Sequence, residues 1–259
     1  MKLDKVKLTR KEFELRLESG GPFEGVDLSD IDLGSMELEG AVFNQCLLSA
    51  GSRLMDVDLS LTRWNDCDLP AICLSSCELK ETVFENCRFY EKQVKSGPVF
   101  RLCDMHEVQF INCDLQLVSM EGCELYGALF ESCKMQGGRW ERCNFSRSFS
   151  RKTVLNQVAF RGCDLSFSAL SSLSFESCEF GKTNLFNADL TGCNFTEADL
   201  RESTLEGAEL DGATMNNADL RSAKFTGLNL LRLKSYRGMI IGADDQSMLL
   251  LAMGVDVRA

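Results

Sequence analysis

Ala188-Asp189-Leu190-Thr191-Gly192, Cys193-Asn194-Phe195-Thr196-Glu197, Ala198-Asp199-Leu200-Arg201-Glu202, Ser203-Thr204-Leu205-Glu206-Gly207, Ala208-Glu209-Leu210-Asp211-Gly212, Ala213-Thr214-Met215-Asn216-Asn217 and Ala218-Asp219-Leu220 decide how this chain folds. Each unit opens on a small residue and carries a large apolar residue two positions later. The period is five, which is neither the 2.0 of a strand nor the 3.6 of a helix. A fixed short period is the mark of a solenoid.

The frame runs far beyond this stretch. Every fifth residue from Met105 to Leu230 is apolar except Ser150. Upstream the large positions are Phe23, Leu28, Leu33, Leu38, Phe43 and Leu48, then Leu54 to Phe89, then Phe100. The phase slips by one residue around Ser49 to Arg53 and again in Tyr90 to Val99, where Gly97-Pro98 signals a turn. The polar run Glu91 to Gly97 reads as a loop on a rigid scaffold, a place where recognition elements sit. Single-residue bulges or tolerated insertions are the alternative.

Five residues cannot close a turn, but four units can if each makes one side of a square. The chain then lies above itself after twenty residues, at about the 4.8 Å strand spacing. A small residue, then Asp or Asn, then Leu or Phe, then two polar residues resembles the pentapeptide repeat family over about Phe23 to Leu230. The resemblance implies an all-β solenoid, a right-handed quadrilateral β-helix. The N-terminal cap is expected at 1–22, the repeat at 23–230, and a C-terminal cap at 231–259 with a helix near 244–253. Thr9-Arg10-Lys11-Glu12 forms a capping-box pattern for the first helix. Asp244 as N-cap and Gly254 past the end frame the second. Val255-Asp256-Val257 could add a strand. Solenoid ends need such covers, and Met248, Leu249, Leu251 and Met253 could also join two copies into a homodimer.

The 259 residues are 44% hydrophobic and 26% charged, enough for a continuous core. No apolar run is long enough to span a bilayer, so no membrane role is expected. The net charge of -11 disfavours direct nucleic-acid binding and favours a basic protein partner. Of thirteen cysteines, only Cys73 falls outside the small inward position. Cysteine therefore serves as a small buried hydrophobe. Cys103, Cys123, Cys143 and Cys163 recur every twenty residues and should stack without forming disulfides. Free thiols in this number point to the cytoplasm. The single histidine, His106, is no metal box, and no glycine-rich phosphate loop or nucleophile–base set occurs. No catalytic residue, metal or cofactor is expected, and the protein should work by binding.

Outward positions supply the candidate contacts. Tyr126, Phe167 and Phe186 fall outside the inward slots, and a strict twenty-residue coil puts them on one face with Arg147 in the same column. Aromatic residues and arginine are enriched at binding hot spots; scattered surface apolar residues are the bland alternative. Glu179, Asp199 and Asp219 should stack as one acidic column and Asp189 and Glu209 as another. Ser150 looks like an inward slot carrying a hydroxyl, ringed by the basic residues Arg139, Arg142, Arg147, Arg151, Lys152 and Arg161.

Three functions fit this reading. In the first, the chain is an immunity protein that neutralises a DNA-cleaving bacterial toxin. The runs Lys7 to Glu12 and Gly20 to Leu28 resemble the start of pentapeptide proteins found beside type VI secretion genes. In the second, Cys87-Arg88-Phe89-Tyr90-Glu91-Lys92 and the insertion after it resemble the first loop of the quinolone-resistance members. Those bind DNA gyrase as duplex mimics; the C-terminal segment departs from theirs. In the third, it is a structural adaptor in a secretion complex.

Overall fold

In the computed structural model, which describes residues 5–34, 36–150 and 153–255, each five-residue unit makes one side and one corner of a square coil. The large residue sits mid-side and points inward: Leu190, Phe195, Leu200 and Leu220 are fully buried, and so are the small residues Ala188 and Ala198. The Asp before the large residue has a local task. Its carboxylate accepts the N–H two residues ahead, as Asp189 does from Thr191 at 3.0 Å and Asp219 from Arg221 at 3.1 Å. That Asx-type bond starts the corner. The corner residue then turns left-handed, at φ 53° for Asn187 and 70° for Gly207. Asn and Gly tolerate that conformation best.

The first side begins at Phe23, the second at Leu28, the third at Leu33 and the fourth at Leu38; Phe43 then pairs in parallel with Phe23. Strands on the first side form a seven-stranded parallel sheet from Phe23–Glu24 to Val158–Arg161. Those on the third form a five-stranded sheet from Arg53–Met55 to Arg139–Glu141. The second and fourth sides are held by isolated parallel bridges. This is the right-handed quadrilateral β-helix that the resemblance implied.

Aromatic rings stack up the first side: Phe23 on Phe43 at 5.0 Å, Phe43 on Trp64 at 3.9 Å, and Phe110 on Phe130 at 5.3 Å. Each such ring, fully buried, stabilises the coil by about 2–3 kcal/mol.

Both phase slips are real and differ in kind. Around Ser49 to Ser52 one extra residue is absorbed in a corner, so Val42 pairs with Arg63, twenty-one positions on. Between Tyr90 and Gly97 six extra residues make a compact loop closed by Glu91 and Ser96, and Val83 pairs with Gln109.

The third irregularity corrects the expectation at Ser150. Ser150 fills no inward slot. Ser146–Ser150 pairs antiparallel with Thr153–Asn156 in a hairpin that leaves the coil. Ala128 consequently pairs with Val158, thirty positions on instead of twenty. The excursion is ten residues, two whole units, so the five-residue phase resumes intact and Leu155 only imitates a core position. It is 50% exposed.

This excursion also rearranges the thiols. Cys163 does not stack above Cys143. It continues the ladder Cys46, Cys67, Cys87, Cys113 and Cys133, each of the last two thiols reaching a carbonyl of the rung below, Cys133 at Phe110 and Cys163 at Phe130. Cys103, Cys123 and Cys143 form a separate ladder with Cys77 below them. The described cysteines are unbridged. Burial pushes the Cys143 thiol up to about 11 and those of Cys178 and Cys193 to about 12.

Helix α1 (Arg10–Glu18) covers the N-terminal end, entered through the capping box of Thr9 and Glu12. Its Phe13 is fully buried and stacks on Phe23 at 4.5 Å, extending the ring column into the cap. Ahead of α1, Val6–Lys7 adds a short strand beside Val26–Asp27, an element the sequence did not announce. Helix α2 (Gln246–Ala252) covers the other end, preceded by a 3-10 turn over Ala243–Asp245. The residue at the N-cap position is Asp245 rather than Asp244, and its carboxylate does not cap α2; it accepts the Gly242 N–H at 3.1 Å and so closes the 3-10 turn. Coil stacking continues past Leu230, since Asp219 bridges Ile240. Val255 lies outside any strand, and Asp256 and Val257 fall outside the described residues.

Candidate protein-binding surface

The ten-residue hairpin separates candidates that a strict coil brings together. Two units correspond to two sides of the square, a half turn. Tyr126 therefore lies where the fourth side meets the first, and Phe167 and Phe186 where the second meets the third, diagonally across the coil. These sets do not share a face.

At the first of these corners the hairpin folds over Tyr126, which is only 8% exposed. Tyr126 meets Phe149 edge-on at 5.8 Å. The Arg147 guanidinium lies 5.9 Å from the Tyr126 ring and 5.5 Å from the Phe149 ring. Tyr126 is thus an anchor for the hairpin and not an outward contact, while Arg147 stays exposed. The hairpin itself displays Phe149, Val154 and Leu155, each at least half exposed. At the base of the hairpin, Lys80, Glu81, Asp104, His106, Glu107 and Arg147 line an open cavity.

The side that carries the hairpin also carries the longest acidic column. Glu37 bridges Asp58, Asp58 bridges Glu78, Glu78 bridges Asp104, and Asp104 bridges Glu124. The column ends at Asn144, whose amide donates to Glu124 at 2.6 Å, directly before the hairpin departs. Five carboxylates stack at strand spacing of about 4.8 Å. Lys80 pairs with Glu78 at 2.8 Å and Asp104 at 3.2 Å. Burial opposes ionisation of Asp104, but hydrogen bonds from His106 and Lys80 outweigh it and hold this carboxyl below its usual range. Sequence reasoning missed this column because its spacings are irregular: the one-residue corner and the six-residue loop both interrupt it. A comparison of charges across those two slips would have found it.

The acidic column foreseen at Glu179, Asp199 and Asp219 does form, but it is not bare. Arg201 grips Asp199 at 2.6 Å and Arg221 grips Asp219 at 2.6 Å, while Arg161 reaches Glu179 at 2.7 Å. Hydrogen bonds from these arginines hold Asp199 and Asp219 below the usual carboxylate range. The repulsion expected between stacked acids is relieved, and this side presents alternating charge. Asp189 and Glu209 stack as expected and have no basic side chain within ion-pair reach among the described residues.

The basic cluster around Ser150 disperses. Arg142 pairs with Glu121 and Arg139 with Glu141; Arg151 and Lys152 lie outside the described residues. No group of His, Cys, Asp or Glu able to hold a metal ion occurs among the described residues. No helix among them is long and apolar enough to cross a membrane.

A profile of pentapeptide repeats matches the chain in eight copies, with matched spans at residues 178–217 and 188–227. Residues 178–227 carry the repeat of the pentapeptide repeat family. Among solved structures, a trypsin-treated form of QnrB1, described as a plasmid-mediated fluoroquinolone resistance protein, aligns with a TM-score of 0.70 at 19% identity. That alignment covers 81% of this chain and 100% of the other. A second trypsin-treated form gives a TM-score of 0.66 at 18% identity over 92% and 98% of the two chains. Full-length QnrB1 gives 0.63 at 18% over 79% and 100%. At these identities the likeness is one of fold. No curated protein matches the sequence. Within this solenoid the fourth side carries both the acidic column and the exposed hairpin.

Proposed function

We propose that this protein acts without catalysis, by binding a protein partner as a duplex-DNA mimic, and that the partner is DNA gyrase. The observation that carries this reading is the column Glu37, Asp58, Glu78, Asp104 and Glu124, which ends beneath an exposed apolar hairpin. A protein built to hold a duplex expects regularly spaced negative charge, one per 3.4 Å or so along each strand. A straight acidic column offers a similar pattern on a rod. Charge of this kind steers the encounter, and apolar side chains such as Phe149, Val154 and Leu155 slow release.

Two further points support gyrase over other basic partners. QnrB1, which shares the fold, is a fluoroquinolone resistance protein. The loop closed by Glu91 and Ser96 lies where the resemblance to the quinolone-resistance members places their first loop. The toxin-neutralising reading rests on the N-terminal run and on the net charge of -11, which suits any basic partner.

A supercoiling assay with purified gyrase tests the proposal, with co-expression of a candidate nuclease toxin in parallel. Dose-dependent change in gyrase activity is expected, weakened by removal of residues 146–155. Unaltered gyrase activity together with protection against the toxin would reverse the choice.

A further inference from the structure

The corner diagonally opposite the hairpin carries a second surface. Phe167 is 61% exposed and Phe186 39%, and their rings meet edge-on at 5.6 Å. The ridge continues to Leu117. Its side chain lies over Gly137, where an added Cβ would come within 2.8 Å of it, so that the glycine lets Leu117 lean toward the rung of Phe167. Beyond Phe186 the next rung places Glu206, through the 3.1 Å bond from the Asn187 N–H to the Glu206 carbonyl. Asp189 and Glu209 stand on the adjoining third side.

Phe167 is the one aromatic residue at a left-handed corner among the described residues, although Leu61, Leu102 and Leu117 share that conformation. Its φ is 60°, a left-handed corner that suits Gly or Asn. Below it in the same corner column stand Leu117 and Gly137, and above it Asn187, Gly207 and Gly227. A bulky ring held in such a conformation, and left exposed, adds nothing to the core. Strain of this kind concentrates where a binding surface needs the side chain.

We propose that the ridge Leu117–Phe167–Phe186, with Asp189, Glu206 and Glu209, is a second docking surface that receives an arginine-bearing, partly apolar segment of a protein partner. The choice of occupant follows from charge. Asp189 and Glu209 have no cationic neighbour within ion-pair reach among the described residues, so a guanidinium adds charge-assisted bonds without displacing an internal partner. Arginine also lies flat on an aromatic face, which a lysine point charge does less well. A second copy of the chain, at net charge -11, is repelled from this surface. The inference rests on the protein-binding reading but not on gyrase being the partner.

The test uses an end-blocked peptide of alternating arginine and leucine, with arginine–glycine and glutamate–leucine peptides as controls, titrated calorimetrically into the full chain. The arginine–leucine peptide should bind at least tenfold more tightly than either control. Phe167→Ala with Phe186→Ala should weaken it at least tenfold. Asp189→Asn with Glu209→Gln should flatten its salt dependence. Phe167→Gly should weaken binding while leaving the melting temperature equal or higher, because the strained corner relaxes; a purely structural Phe167 would give the opposite. Removal of residues 146–155 should leave peptide binding intact. Equal binding by the Phe167/Phe186 double variant, or loss on hairpin removal, would overturn the proposal. Because the titration contains no gyrase, its outcome is separate from that of the supercoiling assay.

Discussion

Leu200 and Glu202 are two residues apart and face opposite environments. Leu200 is fully buried mid-side, while Glu202 is exposed and 3.8 Å from Lys182. Leu200→Asp leaves a charge without a partner in the stack and should cost on the order of 4 kcal/mol. Glu202→Gln should change stability by less than about 0.5 kcal/mol. Urea unfolding of the two variants checks this, and equal midpoints would refute the inward assignment. The Asp219–Arg221 pair gives a pH test. Hydrogen bonding from Arg221 lowers the Asp219 pKa in the folded chain, against the opposing effect of burial. A lowered folded value contributes stability above the unfolded carboxylate pKa of about 3.9, and that contribution is lost as pH falls through the folded value. Arg221→Gln should remove it. The variant should melt below the parent near neutral pH, and the gap should close as both are acidified. A gap that widened in acid would contradict the linkage.

Among the elements, the hairpin marks the limit of what the sequence discloses. Small–Asp–large spacing made the coil, its corners and both helical caps legible, because each rests on local chemistry: a carboxylate on a nearby N–H, an inward Leu, a capping box. The Glu91–Ser96 loop was legible because six residues break a five-residue phase. The hairpin was not, because ten residues do not break it. That one length turned the coil by two sides, moved Cys163 to another ladder and set Tyr126 opposite Phe167. The acidic column from Glu37 to Glu124 was hidden for the complementary reason, since its members stack only after the two shorter insertions are counted. The same arithmetic makes a prediction. Deleting Ser146 to Leu155 joins Cys143-Asn144-Phe145 to Asn156-Gln157, which is again a regular unit. The shortened protein should stay folded, with a melting temperature within about 4–8 °C of the parent, roughly what 1 kcal/mol shifts in a small domain. Deleting only Ser146 to Ser150 should destabilise it far more, because a five-residue cut exposes the core of the next side. Thermal melts of the pair, read by circular dichroism, decide the point; similar losses would show that the hairpin is part of the coil.

At the scale of the whole molecule, the charge is distributed by side, and the sides do different work. On the first side the acids Glu179, Asp199 and Asp219 are matched by Arg161, Arg201 and Arg221. On the fourth, Glu37, Asp58, Glu78, Asp104 and Glu124 are answered chiefly by Lys80. Asp58 and Asp104 also hold turn N–H groups, of Ser60 and His106. Glu37, Glu78 and Glu124 make no such turn bond, so their charge can be removed with little cost to the coil. Salt should slow association through this side more than it speeds release, because exposed charges are screened over about 10 Å at 0.1 M. The most direct test of the central claim is displacement of a fluorescent duplex from purified gyrase by this protein and by its Glu37→Gln, Glu78→Gln, Glu124→Gln variant. The parent should displace the duplex at 0.1 M salt, and the variant should need at least tenfold more protein, a difference of about 1.4 kcal/mol. Displacement unaffected by the three substitutions, or none by the parent at any concentration, would contradict a duplex mimic acting through the fourth side.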